Sequence, residues 1–240
     1  MFVNTRGIVF QKINYSESSI IVKIYTEEFG LMSFMVRGVK SKRGAMKTAY
    51  FQPLTILDLV ISYKENKNLH NIKEAKVAYA YRDIFTDPVK QSILFFLNEM
   101  LLKTIKEEST DKLLFEWLLN ALTWLDLTDK NVVNYHLSFL FQLSRFLGFY
   151  PKISGSESKY FDLQEGTFRE TRPEHASYIT GPLVEHLRIL RTTTFEESPG
   201  LQITNEDRRK MLHTLVTYYQ MHLPNIHQIK SLEVLENMMS

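Results

Sequence analysis

Cysteine is absent from the 240 residues. Its absence excludes disulfide frameworks, thiol catalysis, iron–sulfur clusters and every zinc site built on thiolates. Glycine (9) and proline (7) are scarce, which excludes a linker-like or collagen-like chain. Long apolar runs are missing too. The longest uncharged stretch, 131–144, is shorter than the roughly 18 residues of a membrane span and is interrupted by Asn134, His136, Ser138 and Gln142. Met1-Phe2-Val3-Asn4-Thr5-Arg6 carries no basic-then-apolar secretory pattern, so the expected location is cytoplasmic.

Catalytic signatures are equally lacking. There is no G-x-x-x-x-G-K-[ST], no G-x-G-x-x-G and no G-x-S-x-G. Adjacent acidic pairs such as Glu27/Glu28, Glu107/Glu108 and Glu196/Glu197 tend to point apart and read as surface charge. The seven histidines include no HExxH spacing. His136 borders an apolar helical stripe and reads as a satisfied core or boundary residue rather than a ligand. The expectation is therefore no catalytic residue, no cofactor and no metal site.

What is present is an ordinary globular composition, 44% hydrophobic and 23% charged, with charge unevenly distributed. Residues 1–82 hold 13 Lys/Arg against 6 Asp/Glu, and residues 83–240 hold 16 against 21. A basic first third on an acidic remainder suggests that one part of the molecule meets a polyanion.

The first 80 residues read as β structure, with strands at about 7–13, 19–26, 32–37, 54–63 and 69–78 between turn residues. Alternation is clearest where Ile20, Val22 and Ile24 oppose Ile21, Lys23 and Tyr25. Five short strands suit a small closed barrel; a Greek-key OB-fold is favoured and an SH3-like barrel is the alternative. After Asp83 the period becomes 3.6. Asp87-Pro88 starts a helix with the stripe Ile93, Leu97, Met100, Leu101 and Ile105. A second helix carries Leu114, Trp117, Leu118, Ala121, Leu122 and Leu125 on one face. A third is expected from an Asp129 cap to Leu147, stopped by Gly148 and Pro151. A small hairpin pairs 159–163 with 167–169, and helices follow at 182–192 and 205–222, the last capped by Thr204. The fold class is thus α+β and multidomain: a barrel at 1–80, a helical bundle at 81–148, a hairpin insertion at 149–181, and C-terminal helices at 182–240 that complete the helical domain.

The most informative local feature is Arg37-Gly38-Val39-Lys40-Ser41-Lys42-Arg43-Gly44-Ala45-Met46-Lys47, with five basic residues in eleven and no Asp or Glu between Phe29 and Leu57. Basic side chains neutralise phosphates, and glycines let backbone N–H groups approach them. A solvated basic loop is the alternative. The segment leaves a strand whose neighbours supply Lys23, Tyr25 and Phe34, a combination of charge and stacking surface suited to single-stranded nucleic acid. Tyr25 and Phe34 also admit a core reading, which is favoured for Phe34. The candidate DNA-binding set is Arg37, Lys40, Lys42, Arg43 and Lys47, extended by Lys23, Lys12 and Tyr25.

The run Gly7-Ile8-Val9, Tyr15 to Val22, Tyr25-Thr26-Glu27, Gly30, Arg37 to Lys42 and Gln52-Pro53-Leu54 resembles the start of the RecO family of bacterial recombination mediators. Leu147 to Pro151 is similar to that family's exit from its helical core, and Arg208-Arg209-Lys210 through Tyr218-Tyr219 to Lys230-Ser231-Leu232 to its closing segment. The resemblance implies an OB-fold followed by a helical domain, binding of single- and double-stranded DNA, and annealing of strands coated by single-strand binding protein. It also implies partnership with RecR and with the C-terminal tail of the coating protein, loading of RecA on gapped DNA, and a nucleoid-associated cytoplasmic location. Many relatives carry a cysteine zinc module after the Gly-Phe-Tyr-Pro position; residues 154–178 have no cysteine. The expected knob is metal-free, held by Tyr160, Phe161, Leu163 and Phe168.

Overall fold

The structure is a computed structural model describing residues 1–38, 48–106, 110–153 and 158–239. The chain divides into two compact units, one of residues 1–85 and 98–127, the other of residues 86–97 and 128–240.

In the first unit, β1 (Phe2–Asn14), β2 (Ser19–Thr26), β3 (Gly30–Arg37), β4 (Ile56–Ser62) and β5 (Leu69–Val77) close into a barrel of order β1-β2-β3-β5-β4, with β4 returning to β1. All pairs are antiparallel except β3 with β5. That order is the OB-fold, which decides between the two expected barrels. Side chains alternate across each strand, so Ile20, Val22 and Ile24 of β2 join Phe34, Val36, Leu57, Leu59 and Ile61 in the barrel core. Gly7 lies where β1 meets this core: a Cβ there would stand 2.5 Å from Ile24 and 2.9 Å from Leu59, so the close approach needs a residue without a side chain. One 3-10 turn, Thr48–Phe51, delivers Phe51 into the same core.

Helix α1 (Pro88–Thr104) gives its first turns to the second unit and its last to the first, while α2 (Lys112–Leu127) belongs to the first. Both open on an aspartate. Asp87 Oδ1 accepts the N–H groups of Val89 and Lys90, and Asp111 Oδ1 that of Leu114, satisfying donors that a helix start leaves unpaired. The apolar stripe of α2 is buried at Leu114, Phe115, Leu118, Ala121, Leu122 and Leu125.

In the second unit α3 runs over Tyr135–Phe146, starting later than the Asp129 cap expected from sequence. Short side chains divert the backbone first: Thr128 Oγ1 accepts the N–H of Lys130, and Asn131 Oδ1 that of Val133, local bonds that compete with a helix. The C-terminal stop is as expected, with Gly148 at φ +86° and the N–H of Phe149 reaching the carbonyl of Ser144. The insertion is larger than a hairpin. Strands β7 (Tyr160–Asp162) and β8 (Thr167–Arg169) form the expected antiparallel pair, but β6 (Lys152–Ile153) and β9 (Tyr178–Thr180) complete a sheet of order β6-β8-β7-β9. Phe161, Leu163 and Phe168 are buried under it. Helix α4 (Pro182–Thr192) and α5 (Asn205–His222) pack on α3, and α6 (Ser231–Met238) follows, absent from the sequence expectation. Among the described residues no helix is long and apolar enough to cross a membrane.

Candidate nucleic-acid interface

The outer face of the barrel is built by the residues that alternate away from its core. In β2 and β3 these are Ile21, Lys23 and Tyr25, and Ser33, Met35 and Arg37. Register pairs Ile21 with Met35 and Lys23 with Ser33, and Arg37 with Ser19 at the strand end. On the β1 side, Ile13 lies beside Ile21 and Gln11 beside Lys23. The result is two cross-strand rows on one surface: apolar Ile13–Ile21–Met35, and polar Gln11–Lys23–Ser33. Ile13 is 47% exposed, while Ile21, Lys23 and Met35 are half-buried and Arg37 exposed. Arg37 has no ion-pair partner among the described residues, and it stands at the end of β3 where the chain enters the basic segment.

Lys12 does not share this face. The pairing of β1 with β2 slips between Val9 and Gln11, leaving Phe10 as a bulged residue. One extra residue reverses the alternation of everything that follows. Ile8, before the bulge, lies in register with outward Tyr25, whereas Lys12, after it, lies in register with core-facing Val22. A strand read without the bulge places Lys12 outward.

Tyr25 follows its alternative reading, as core. It lies on the outer face as expected, but α2 covers that end of the barrel, and Tyr25 is 1% exposed. Its ring stacks on Phe10 at 5.8 Å and touches Phe115 at 6.0 Å, and its hydroxyl donates to the Asp111 carbonyl at 3.2 Å. Burial, reinforced by the Asp111 carboxylate, pushes the phenol up to about 12. The ring is spent on packing and offers no platform to a base. Phe34, at 0% exposure, is core, as the sequence favoured.

Two other cations of this unit, Arg6 and Lys112, are paired with carboxylates. Arg6 holds Glu27 through two bonds of 2.9 and 2.8 Å and also meets Glu116. The Glu27 bond raises the Arg6 guanidinium against its own desolvation, and the same bond holds Glu27 below the usual carboxylate range. Lys112 pairs with Glu28 at 2.7 Å. Among the described residues, Lys23 and Arg37 are the basic residues on the outer face of β2 and β3. Lys40, Lys42, Arg43 and Lys47 lie outside the described residues. The open apolar row was missed from sequence; it becomes visible only once the bulge fixes Ile13 beside Ile21.

Among the described residues no three His, Cys, Asp or Glu side chains are grouped to hold a metal ion. His136 is buried as expected but not satisfied: it is 0% exposed, and neither ring nitrogen has a hydrogen-bond partner among the described residues.

Comparison with known proteins covers nearly the whole chain. Residues 1–81 match the family model described as Recombination protein O N terminal, and residues 86–233 the one described as Recombination protein O C terminal. The DNA repair protein RecO of Phocaeicola vulgatus is 36% identical over 241 residues, covering 100% of both chains. That of Flavobacterium psychrophilum is 38% identical over 242 residues, again 100% of both, and that of Porphyromonas gingivalis 29% identical over 99% of each.

Proposed function

We propose, from the premise that this chain belongs to the RecO family of DNA repair proteins, that it is a recombination mediator that acts by binding and not by catalysis. It binds single- and double-stranded DNA, anneals complementary strands coated by single-strand binding protein through contact with that protein's C-terminal tail, and with RecR helps load RecA on gapped DNA in the nucleoid. The observation that supports this best is the open outer face of β2 and β3, where Lys23 and Arg37 lead into a segment with no acidic residue between Phe29 and Leu57.

Phosphates track Arg37, Lys40, Lys42, Arg43 and Lys47, with Lys23 extending the path. Each neutralised phosphate releases counterions, so binding tightens as salt falls. Two strands held against the same positive surface repel each other less, which lets base pairing take over. The barrel supplies a rigid platform and the reaction breaks no covalent bond.

The test is fluorescence anisotropy of a labelled single strand across a salt series, with the wild type and a variant carrying Ala at those five basic positions. The expected slope of log K against log salt is about −0.7 per contact, roughly −3.5 in all, collapsing in the variant. Binding that is weak and unchanged by the substitutions would overturn the reading and move the function to protein capture by the second unit.

A further inference from the structure

We propose that a cleft at the mouth of the barrel receives one unpaired base of a bound single strand. The inference rests on the DNA-binding reading above and adds to it a site for the base where that reading concerns the phosphates. The cleft encloses about 370 Å³ and is lined by Phe29, Met32 and Ser33 at the start of β3, and by Tyr63, Asn68 and His70 around the β4–β5 connection. That volume falls in the range of small-molecule sites, and barrel mouths commonly hold them.

Three features choose a nucleobase. First, the wall is a ladder of flat rings. Phe29 and Tyr63 stack at 4.5 Å with planes 20° apart, and Tyr63 and His70 at 5.4 Å with planes 3° apart. Phe29 and Tyr63 are only half-buried, so the ladder keeps open ring surface, and every base has a π-face with which to extend it. Second, His70 is 6% exposed and its Nδ1 has no hydrogen-bond partner among the described residues. A buried ring nitrogen left unmatched is costly, and the donor or acceptor edge of a base can match it. Third, Glu65 and Lys67 both line the cleft, while Glu28, also in the lining, is held by Lys112 at 2.7 Å. The Glu65 carboxylate and the Lys67 ammonium offer an acceptor and a donor to the polar edge of a base, as acidic side chains accept from the cytosine amine.

Position connects the cleft to the open face. Ser33 lines the cleft and is the cross-strand partner of Lys23. Arg37 is four residues further along β3, about 13 Å at the rise of an extended strand. A strand running from Arg37 past Lys23 reaches the rim of the cleft without leaving the sheet.

The experiment compares a labelled single-stranded oligonucleotide with the same sugar–phosphate chain made abasic at its central positions. It uses the full-length protein, wild type, Tyr63→Leu and Asn68→Trp. Asn68 is an exposed loop residue, so Asn68→Trp fills the cleft without removing a packed ring; thermal melting checks that each variant is folded. The wild type is expected to bind the abasic chain about tenfold more weakly at equal salt, and both variants to bind the two chains alike. Equal, salt-steep binding of both chains by the wild type would overturn the cleft and leave the phosphate reading intact. Binding of neither would defeat both. Retention of the difference in Asn68→Trp would overturn the cleft, as would competition by free deoxynucleoside monophosphates at strand-like concentrations, which marks a site for a small nucleotide.

Discussion

The Asp126 carboxylate, near the end of α2, accepts the backbone N–H of Ile84 at 2.9 Å. It also takes the N–H groups of Arg82 and Asp83 and the hydroxyl of Tyr79, each at 2.9 Å, while 0% exposed. One side chain thus ties the exit of β5 to α2 within the first unit. Burial by itself would raise this carboxyl, but the bonds from Arg82, Asp83, Ile84 and Tyr79 outweigh it and hold it below the ordinary value. A depressed folded value stabilises above the unfolded pKa of about 3.9, and that contribution is lost as pH falls through the folded value. Asp126→Asn is expected to cost about 2–4 kcal/mol at neutral pH, because it removes a charged acceptor and sets an amide against backbone donors. Urea unfolding should show the gap between wild type and variant narrowing in acid; a gap of constant size would contradict the assignment.

His136 makes the opposite kind of demand. Burial, then the nearby Arg208 guanidinium, push its imidazole down to about 3. The folded protein keeps it neutral while the unfolded chain protonates near 6.5. The unfolded state therefore binds more protons between these values, and stability falls as pH drops from about 6.5 toward 3. Between pH 7 and pH 5 the loss from this residue alone is about 2 kcal/mol. His136→Leu keeps the volume close and removes two unmatched nitrogens, so it should be neutral or stabilising at pH 7 and should flatten the slope below it. The check is unfolding free energy against pH for both proteins; parallel slopes would refute it.

Much of this architecture was legible because its signals are local. The β2 alternation, the caps at Asp87 and Thr204, and the stop at Gly148 each depend on a few neighbouring residues, and each stands where expected. What escaped was set by distant pairing or by competition. The bulge at Phe10 exists only relative to β2. Strands β6 and β9 have two and three residues, too few for any periodicity, and are defined by partners in β8 and β7. Helix α6 opens at Lys230 with no side-chain cap, so no start signal precedes it. Asn134, beside the true start of α3, bonds Arg208 Nε and the Leu201 carbonyl instead of its own helix. Of the candidate site, the basic character of the face was readable. Which aromatic rings are open was not, because Tyr25 is covered by a helix some ninety residues downstream, at Phe115.

Asp162 is the polar hub of the small sheet formed by β6 to β9. It is 0% exposed and accepts the N–H groups of Gln164 and Glu165, Arg169 Nη1 at 3.2 Å and His175 Nε2 at 3.2 Å. Burial raises its carboxyl, but the Glu165 N–H, Arg169, His175 and the Gln164 N–H together hold it below the usual range. Removing this carboxylate leaves the N–H groups of Gln164 and Glu165 without their acceptor, while Arg169 and His175 are partly exposed and can turn to water, so the cost is about 1–3 kcal/mol. Asp162→Ala should therefore lower the melting temperature and open the Gln164–Gly166 turn to proteolysis. Prolonged treatment with a zinc chelator should leave the wild-type melting curve unchanged. A chelator-induced drop would assign the stability of this sheet to a metal instead.

Tyr25, Lys23 and Arg37 give opposite expectations although the sequence alone groups them. Tyr25→Phe removes one hydroxyl bond to the Asp111 carbonyl and keeps the ring packed, so it should cost about 1 kcal/mol of stability and leave affinity for single strands unchanged. Lys23→Ala and Arg37→Ala lie on the outer face, and Arg37→Ala, at an exposed position, should change stability by no more than about 0.5 kcal/mol. Each should nonetheless weaken binding at low salt and reduce the salt slope by about 0.7. Melting curves and anisotropy on the same three variants separate the roles. A Tyr25→Phe protein that melts normally but binds less tightly would show that the phenol reaches the nucleic acid, which requires α2 to release that end of the barrel when DNA binds.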